Sequence, residues 1–528
     1  MKLHFSNEKF FFLFYFIWLN FNVNLLRYLF IYLFDINVKE LLIKMKQKDF
    51  LFNLFFLLLL NLLIKPYWLL GIEVKVQNTV GAENFGLFFS VFSFTLLLNV
   101  LLDLGLTNFN NRNIAQNRQL LSKHFSGILT LKFLLGVVYL FVVLLVGMVI
   151  GYDTVQIKIL TWLAFNQFLN ALILYLRSNV SAQLMFKTDS ILSVLDKLLM
   201  IIFCGLLLKG VFTDKPFQIM WYVYAQTISY LITSAVALTI VLLKGKITRL
   251  TWNFTFFRAV LKKSFPFALL TMLMAIYGRI DSVMIERILP LSISRYQAGV
   301  FASAFRLLDA LVQIAYLVSV ILLPLFSKML KNKENLVPII KSAFTLLFFF
   351  SVTSTVLLLF YRLPVLSFFY KEIWSESARV FVFLIPCIIP FSMTYIFGTL
   401  LTANGSLRLL NITSAIAIVV NVVINFTLIP LLEARGAAIA SLATQSSITV
   451  MQFIIAFKLL KIPLSTIPYF RCLLFTCLLI LSTYFATQYL HHGLILNLVI
   501  CGIMALLWAF LTNLIPLKFI REFFILTN

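Results

Sequence analysis

The chain has 528 residues, 62% of them hydrophobic and only 12% charged, with a mean hydropathy of +1.01. A chain so poor in polar surface would not stay dispersed in water, which argues against a set of soluble domains. The formal net charge of +24 would point to nucleic acid in a soluble protein, yet no compact basic patch with interleaved aromatics is present.

Residues 1–44 are rich in Phe, Asn and Leu, with Asn20, Asn22, Asn24 and Arg27 interrupting the apolar run. The run from Phe10 to Phe34 is too long for a signal peptide, and no small-residue cleavage site follows it. Two readings remain: an extra helix, or a true start at Met45. The second is preferred, because Met45 stands directly before a strong apolar span.

A bilayer core about 30 Å thick takes roughly 20 apolar residues per helix. Backbone groups in lipid must bond internally, so such segments cross as helices. From Met45 the apolar windows predict an all-α polytopic membrane protein of about fourteen spans. They fall near 50–71, 85–107, 126–150, 157–177, 190–208, 217–243, 264–285, 297–327, 338–361, 379–403, 408–432, 435–459, 466–488 and 494–516. Pro266, Pro386 and Pro390 within spans predict kinks.

Alternate loops are basic. One set carries Lys44, Lys46 and Lys48, then Arg112, Arg118 and Lys123, then Lys244, Lys246, Arg249, Arg258, Lys262 and Lys263. It continues through Lys328, Lys331, Lys333 and Lys341, then Lys458 and Lys461, and ends with Lys518 and Arg521. The opposite set holds Glu73, Glu83, Asp153, Asp214, Glu286, Glu372, Glu376 and Glu433. By the positive-inside rule both ends lie in the cytoplasm if the start is Met45. The same asymmetry accounts for much of the net charge without a polyanionic partner.

An internal repeat appears at an offset of 213 residues. Gly86, Phe88, Ser90 and Phe92 fall on Gly299, Phe301, Ser303 and Phe305. Each copy opens a span just after an outer loop, so the repeat is parallel. Parallel repeats suggest two pseudo-symmetric six-helix lobes with a substrate path between them. The expected organisation is an extension over 1–44, an N-lobe of helices 1–6 over 45–245, a C-lobe of helices 7–12 over 246–462, and two further helices over 463–528.

Cys204, Cys387, Cys472, Cys477 and Cys501 are scattered among apolar residues with no CxxC pair, so neither disulfide framework nor zinc site is indicated; they read as small buried hydrophobes. His491 and His492 are adjacent, and two neighbours alone make a poor metal site. No phosphate-binding GxxxxGK[ST] loop is present, and no cofactor is implied.

Three stretches carry a family resemblance. The first is ValGlyAlaGluAsnPheGlyLeuPhe (80–88), followed by AspLeuGlyLeu (103–106) and ArgAsnIleAla (112–115). The second is ArgIleAspSerValMetIle (279–285), followed by AlaGlyValPheAlaSerAlaPheArgLeuLeuAsp (298–309). The third is AsnValValIleAsnPheThrLeuIlePro (421–430), followed by GlyAlaAlaIleAlaSerLeu (436–442). In this order and spacing they resemble the polysaccharide transporters that flip lipid-linked oligosaccharides, the O-antigen and capsule flippases. That family shares a superfamily, and a MATE-like fold, with lipid II flippases and multidrug and toxin extruders. Each stretch also has a plain reading. Asp103 can pair with Arg112, Gly105 can allow close helix packing, and Gly436 with its alanines can let two backbones approach.

An ionisable side chain near the bilayer centre costs at least about 2.5 kcal/mol, so it usually faces a cavity or a partner. Lys65 lies in the first span, Lys132 near the inner end of the third, and Asp196 and Lys197 interrupt the fifth. Arg279 and Asp281 lie in the outer half of the seventh span, and Arg306 and Asp309 near the middle of the next. The repeat places Lys65 at the depth of Arg279. Lys65, Arg279 and Arg306 are therefore expected to attract a diphosphate head group, with Asp281, Asp309 and Asp196 balancing charge or coupling an ion. The alternative is structural pairing, Arg306 with Asp309 and Arg279 with Asp281; the second pairing is weaker because residues two apart on a helix do not face each other.

The resemblance implies a non-enzymatic flippase of a bacterial inner membrane. It would move an undecaprenyl-diphosphate-linked oligosaccharide (an O-antigen, capsule or exopolysaccharide repeat unit) by alternating access. H+ or Na+ would be the coupling ion, membrane lipids its surroundings, and a polysaccharide polymerase and export proteins its partners. Two rivals stay open. One is a drug or toxin exporter of the same superfamily, which would favour an acidic cavity. The other is a membrane-embedded polysaccharide polymerase or glycosyltransferase, which would want a large catalytic loop; no loop after Met45 exceeds roughly thirty residues.

Overall fold

The computed structural model describes residues 56–107, 120–245 and 252–515, apart from Leu58, Leu184, 212–214 and 491–492. The extension over 1–44, the start at Met45, Arg112 and the His491–His492 pair lie outside the described residues. Regular structure among the described residues is helical throughout. Thirteen helical stretches are long and apolar enough to cross a membrane. The first, Leu59–Leu97, bends at Gly81, whose φ of +83° is left-handed, and runs through what hydropathy divides into the first two of about fourteen spans.

The first leg contains a π-helical turn, Trp68–Glu73, and runs on into the start of α1 (Val74–Leu97), whose part beyond Gly81 is the second leg. A short α2 (Val100–Asp103) follows. α1 ends ten residues short of the expected 107, and α2 is itself ended by Leu104 (φ +44°) and Gly105 (φ +77°), both in left-handed backbone. Then come α3 (Leu120–Val149), α4 (Thr154–Ala182), α5 (Phe186–Leu208), α6 (Ile219–Gly245), α7 (Phe254–Ile288) and the 41-residue α8 (Leu291–Lys331). The later elements are α9 (Val337–Phe360), α10 (Arg362–Phe369), α11 (Trp374–Leu384), α12 (Ile388–Ala403), α13 (Leu407–Leu432), α14 (Ala434–Leu459), α15 (Tyr469–Tyr489) and α16 (Leu494–Leu511). Pro386 sits in the 3₁₀ turn Ile385–Cys387 that joins α11 to α12, where its missing N–H breaks the α pattern.

The chain divides into two compact units. The first comprises residues 48–302 with 414–437; the second, among the described residues, comprises 303–413 and 438–515. In the first unit α6 packs along α4, and α7 along α1. A buried cluster of Phe125, Leu129, Tyr175, Leu176 and Val241 joins α3, α4 and α6. In the second, α9 packs against α12, α15 and α16, with the Phe349 and Phe475 rings 5.7 Å apart. Val137, Phe141 and Val149 on α3 and Phe470 and Leu473 on α15 are exposed. In water such surface would aggregate; in a bilayer it meets acyl chains. Four of the five cysteines are buried as expected, and Cys477 is exposed instead, on an outward face of α15.

Inside the first unit the 213-residue repeat becomes a physical contact. A Cβ on Gly86 would lie 1.9 Å from Arg295 O, and one on Gly299 would lie 2.0 Å from Ala82 O. Residues 82 and 295 are themselves repeat equivalents, as are 86 and 299, so α1 and α8 cross through a pseudo-two-fold contact in which only glycine fits.

Candidate functional site

An ionisable group inside a bilayer is a functional candidate by default, and three such groups of side chains stand out. The first centres on Asp281, buried in α7. Asn421 and Asn425 are four residues apart on α13 and therefore share a face. Asn421 Nδ2 donates to Asp281 Oδ1 at 2.9 Å, and Asn425 Nδ2 donates to the same oxygen at 2.7 Å. Asn425 Nδ2 also lies 3.0 Å from Asn421 Oδ1, and both amides are fully buried. Asn425 Oδ1 is buried and has no hydrogen-bond partner among the described residues. The two amide N–H groups thus converge on one oxygen of a buried carboxylate, an arrangement that stabilises its ionised form.

The second group lies among α4, α5, α6 and the π-helical turn. Asp196 pairs with Lys197 at 3.2 Å. The Lys197 ammonium sits 4.1 Å from the Trp68 ring centroid and donates to Tyr230 Oη at 3.2 Å. From Tyr230 a chain of bonds runs through Gln226 and Asn166 to Thr227. Lys65 is half-buried within electrostatic reach of Asp196, Lys197 and Arg177. Arg177 is itself paired with Asp189 at 2.8 Å. Three cations therefore face two carboxylates, leaving the group net positive. In the same unit the Tyr222 hydroxyl donates to the buried Glu73 carboxylate.

The third group is in the second unit. Arg306 is buried on α8, with Tyr370 and Asp309 within its electrostatic reach. Tyr370 Oη donates to Ser303 O at 3.1 Å, one turn before Arg306. Burial raises the pKa of Tyr370, which lies between spans, and the guanidinium opposes that rise.

The expected site residues thus separate into local sets. Lys65 and Asp196 come together, Arg306 and Asp309 come together, and Asp281 joins two asparagines. Lys65 and Arg279, both half-buried, belong to the first unit, and Arg306 belongs to the second. The sequence reading passed over Asn421 and Asn425, treating their stretch mainly as packing. The available signal was two buried-type amides at i and i+4 in an otherwise apolar span. Nothing in the sequence pointed to Trp68 or Tyr230 as the walls around Lys197.

Two other motif residues have structural partners. Asp103 pairs with Lys132 of α3 and accepts from Thr107. A Cβ on Gly105 would meet Ser264 O at 2.5 Å, and one on Gly436 would meet Leu428 O at 2.4 Å, so both glycines serve close backbone approach.

Comparison with known proteins agrees with this architecture. A family model described as polysaccharide biosynthesis protein matches residues 50–330. No curated protein matches the chain. Among solved structures, lipid II flippase MurJ in its inward closed conformation superposes with a TM-score of 0.66 at 15% identity, over 87% of this chain and 97% of that one. An inward-facing multidrug resistance MATE family transporter of the MOP superfamily gives 0.59 at 15% identity, over 74% and 94%. A mutant of the Vibrio cholerae MATE transporter VcmN gives 0.57 at 14%, over 78% and 98%. At these identities the likeness establishes the fold.

Proposed function

The chain belongs to the polysaccharide biosynthesis protein family, and from that premise we propose that it is a flippase for a lipid-linked oligosaccharide. The substrate we infer is an undecaprenyl-diphosphate-linked repeat unit of O-antigen, capsule or exopolysaccharide. It would be carried from the cytoplasmic to the outer leaflet of a bacterial inner membrane by alternating access of two lobes. Its polar head cannot cross the hydrocarbon unaided, because each unsatisfied group would cost several kcal/mol or more. The observation that carries the reading is the presence of Lys65, Arg279 and Arg306 inside spans of a family member built on this fold. Cations are expensive there, and a diphosphate needs desolvated donors.

Coupling to H+ or Na+ is assigned to Asp281, with Asp309 and Asp196 balancing the cations beside them. The support is a carboxylate buried inside a span, where an ionisable group is costly, with the unpartnered Asn425 Oδ1 on a side chain bonded to it. The test is a deletion strain. It should lose surface polysaccharide and accumulate the lipid-linked precursor, and the native gene should reverse both. Precursor that fails to accumulate in the deletion would refute the assignment.

A further inference from the structure

The Gly86–Gly299 crossing is one part of a larger set of ties at one end of the first unit. Gln77 Nε2 donates to Gly299 O at 3.0 Å, beside the crossing. Arg295 Nη2 reaches Asp153 Oδ2 at 2.5 Å, linking the first turn of α8 to the cap of α4. Gln156, which completes the Asp153 capping box, donates from Nε2 to Glu286 Oε1 at 2.7 Å. Arg287 donates from Nη1 to Ile150 O at 3.1 Å and from Nη2 to Gln156 Oε1 at 3.3 Å. Its guanidinium also lies over the Tyr152 ring, 4.3 Å from the centroid. All these ties join residues 77–86 and 150–156 to residues 286–299, and all fall on the side of the acidic loops, opposite the basic ones.

Resting on the transporter reading, we propose that this set is a latch: it holds the acidic-loop end closed in the conformation seen here and parts once in each transport cycle. Three features favour parting over permanent packing. Residues equivalent under an internal two-fold repeat can touch only at the repeat axis, and rocking of the two repeats must separate the contact at one end of that axis. The closest approach at the crossing is backbone against glycine, which can part without a side chain having to repack. The ties around it are hydrogen bonds and ion pairs whose outer members, Asp153 and Arg295, are already partly exposed, so water can replace each bond as it opens.

The experiment places spin labels at Val155→Cys and Leu291→Cys in an otherwise cysteine-free full-length chain in lipid nanodiscs. Both positions are exposed and flank the latch without taking part in it. Double electron–electron resonance should show a short and a long distance. The long population should rise in Gly86→Leu and in Gly299→Leu. It should also rise in the double variant Asp153→Asn, Arg295→Gln, which cuts the outer tie without touching the helix crossing and so keeps the test valid if a leucine variant misfolds. One short distance, unchanged in the folded variants, would overturn the latch. The distances are read without substrate, so loss of the flippase assignment leaves this result standing, and a rigid latch leaves the flippase assignment standing.

Discussion

Asn425 Nδ2 stands 2.7 Å from Asp281 Oδ1, joining α13 to α7 inside the first unit. A buried carboxylate left short of a donor costs about 1–3 kcal/mol, more when it is charged. Asn425→Leu should therefore lower the apparent melting temperature in detergent. Asp281→Asn keeps the shape and removes the charge, so it should leave the melting temperature close to native while abolishing any shift of it by Na+. An ion dependence that survives Asp281→Asn would remove the coupling role from this residue.

The intramembrane cations make a separate prediction. Arg279→Gln and Arg306→Gln should each abolish export of the polysaccharide while the protein still inserts at native abundance, measured by surface staining and by immunoblot of membranes. Full export by both variants would leave the cations a structural role only.

Glycine positions divide by their surroundings. Gly105→Ala forces a Cβ toward Ser264 O at 2.5 Å and also keeps a positive φ, so it should destabilise by several kcal/mol. Gly405, at φ +78° with nothing within 4 Å, should cost only about 1–2 kcal/mol as alanine. Gly205, inside α5 with open space around it, should become about 0.5–1 kcal/mol more stable as alanine. Thermal melts of the three variants in one detergent should rank them in that order.

Asp153, outside the spans, gives a pH prediction. Partial desolvation raises its carboxyl, but hydrogen bonds from the Gln156 backbone and from Arg295 outweigh that and hold it below the ordinary carboxylate range. A depressed folded pKa contributes stability above the unfolded value, about 4, and loses it as pH falls through the folded value. The melting difference between native protein and Asp153→Asn should be constant from about pH 5 to 8 and shrink in stronger acid. A difference that changes between pH 6 and 8 would mean another group governs this tie.

The spans were legible because lipid imposes one length and one polarity on every crossing helix. The 213-residue repeat was legible for a related reason. Gly86 and Gly299 cannot drift when each faces the other's backbone. The partners of the charged residues were not legible, because they come from distant elements. Asp103 pairs with Lys132, which α3 brings alongside α2. Asp281 finds Asn421 and Asn425, some 140 residues away, because α13 returns the chain to the first unit after it has left it. The end of the second span was not legible because hydropathy continues past Leu97 to Leu106 while the helix stops and a short separate one follows.

The most direct measurement of the central claim uses purified protein in vesicles carrying a polyprenyl-diphosphate-linked saccharide with a fluorescent tag on the sugar, bleached from outside by a membrane-impermeant reductant. Native protein should let bleaching pass well beyond the outer-leaflet half, while Arg279→Gln and Arg306→Gln vesicles should stop near half. Native vesicles that stop where protein-free vesicles stop would contradict the account.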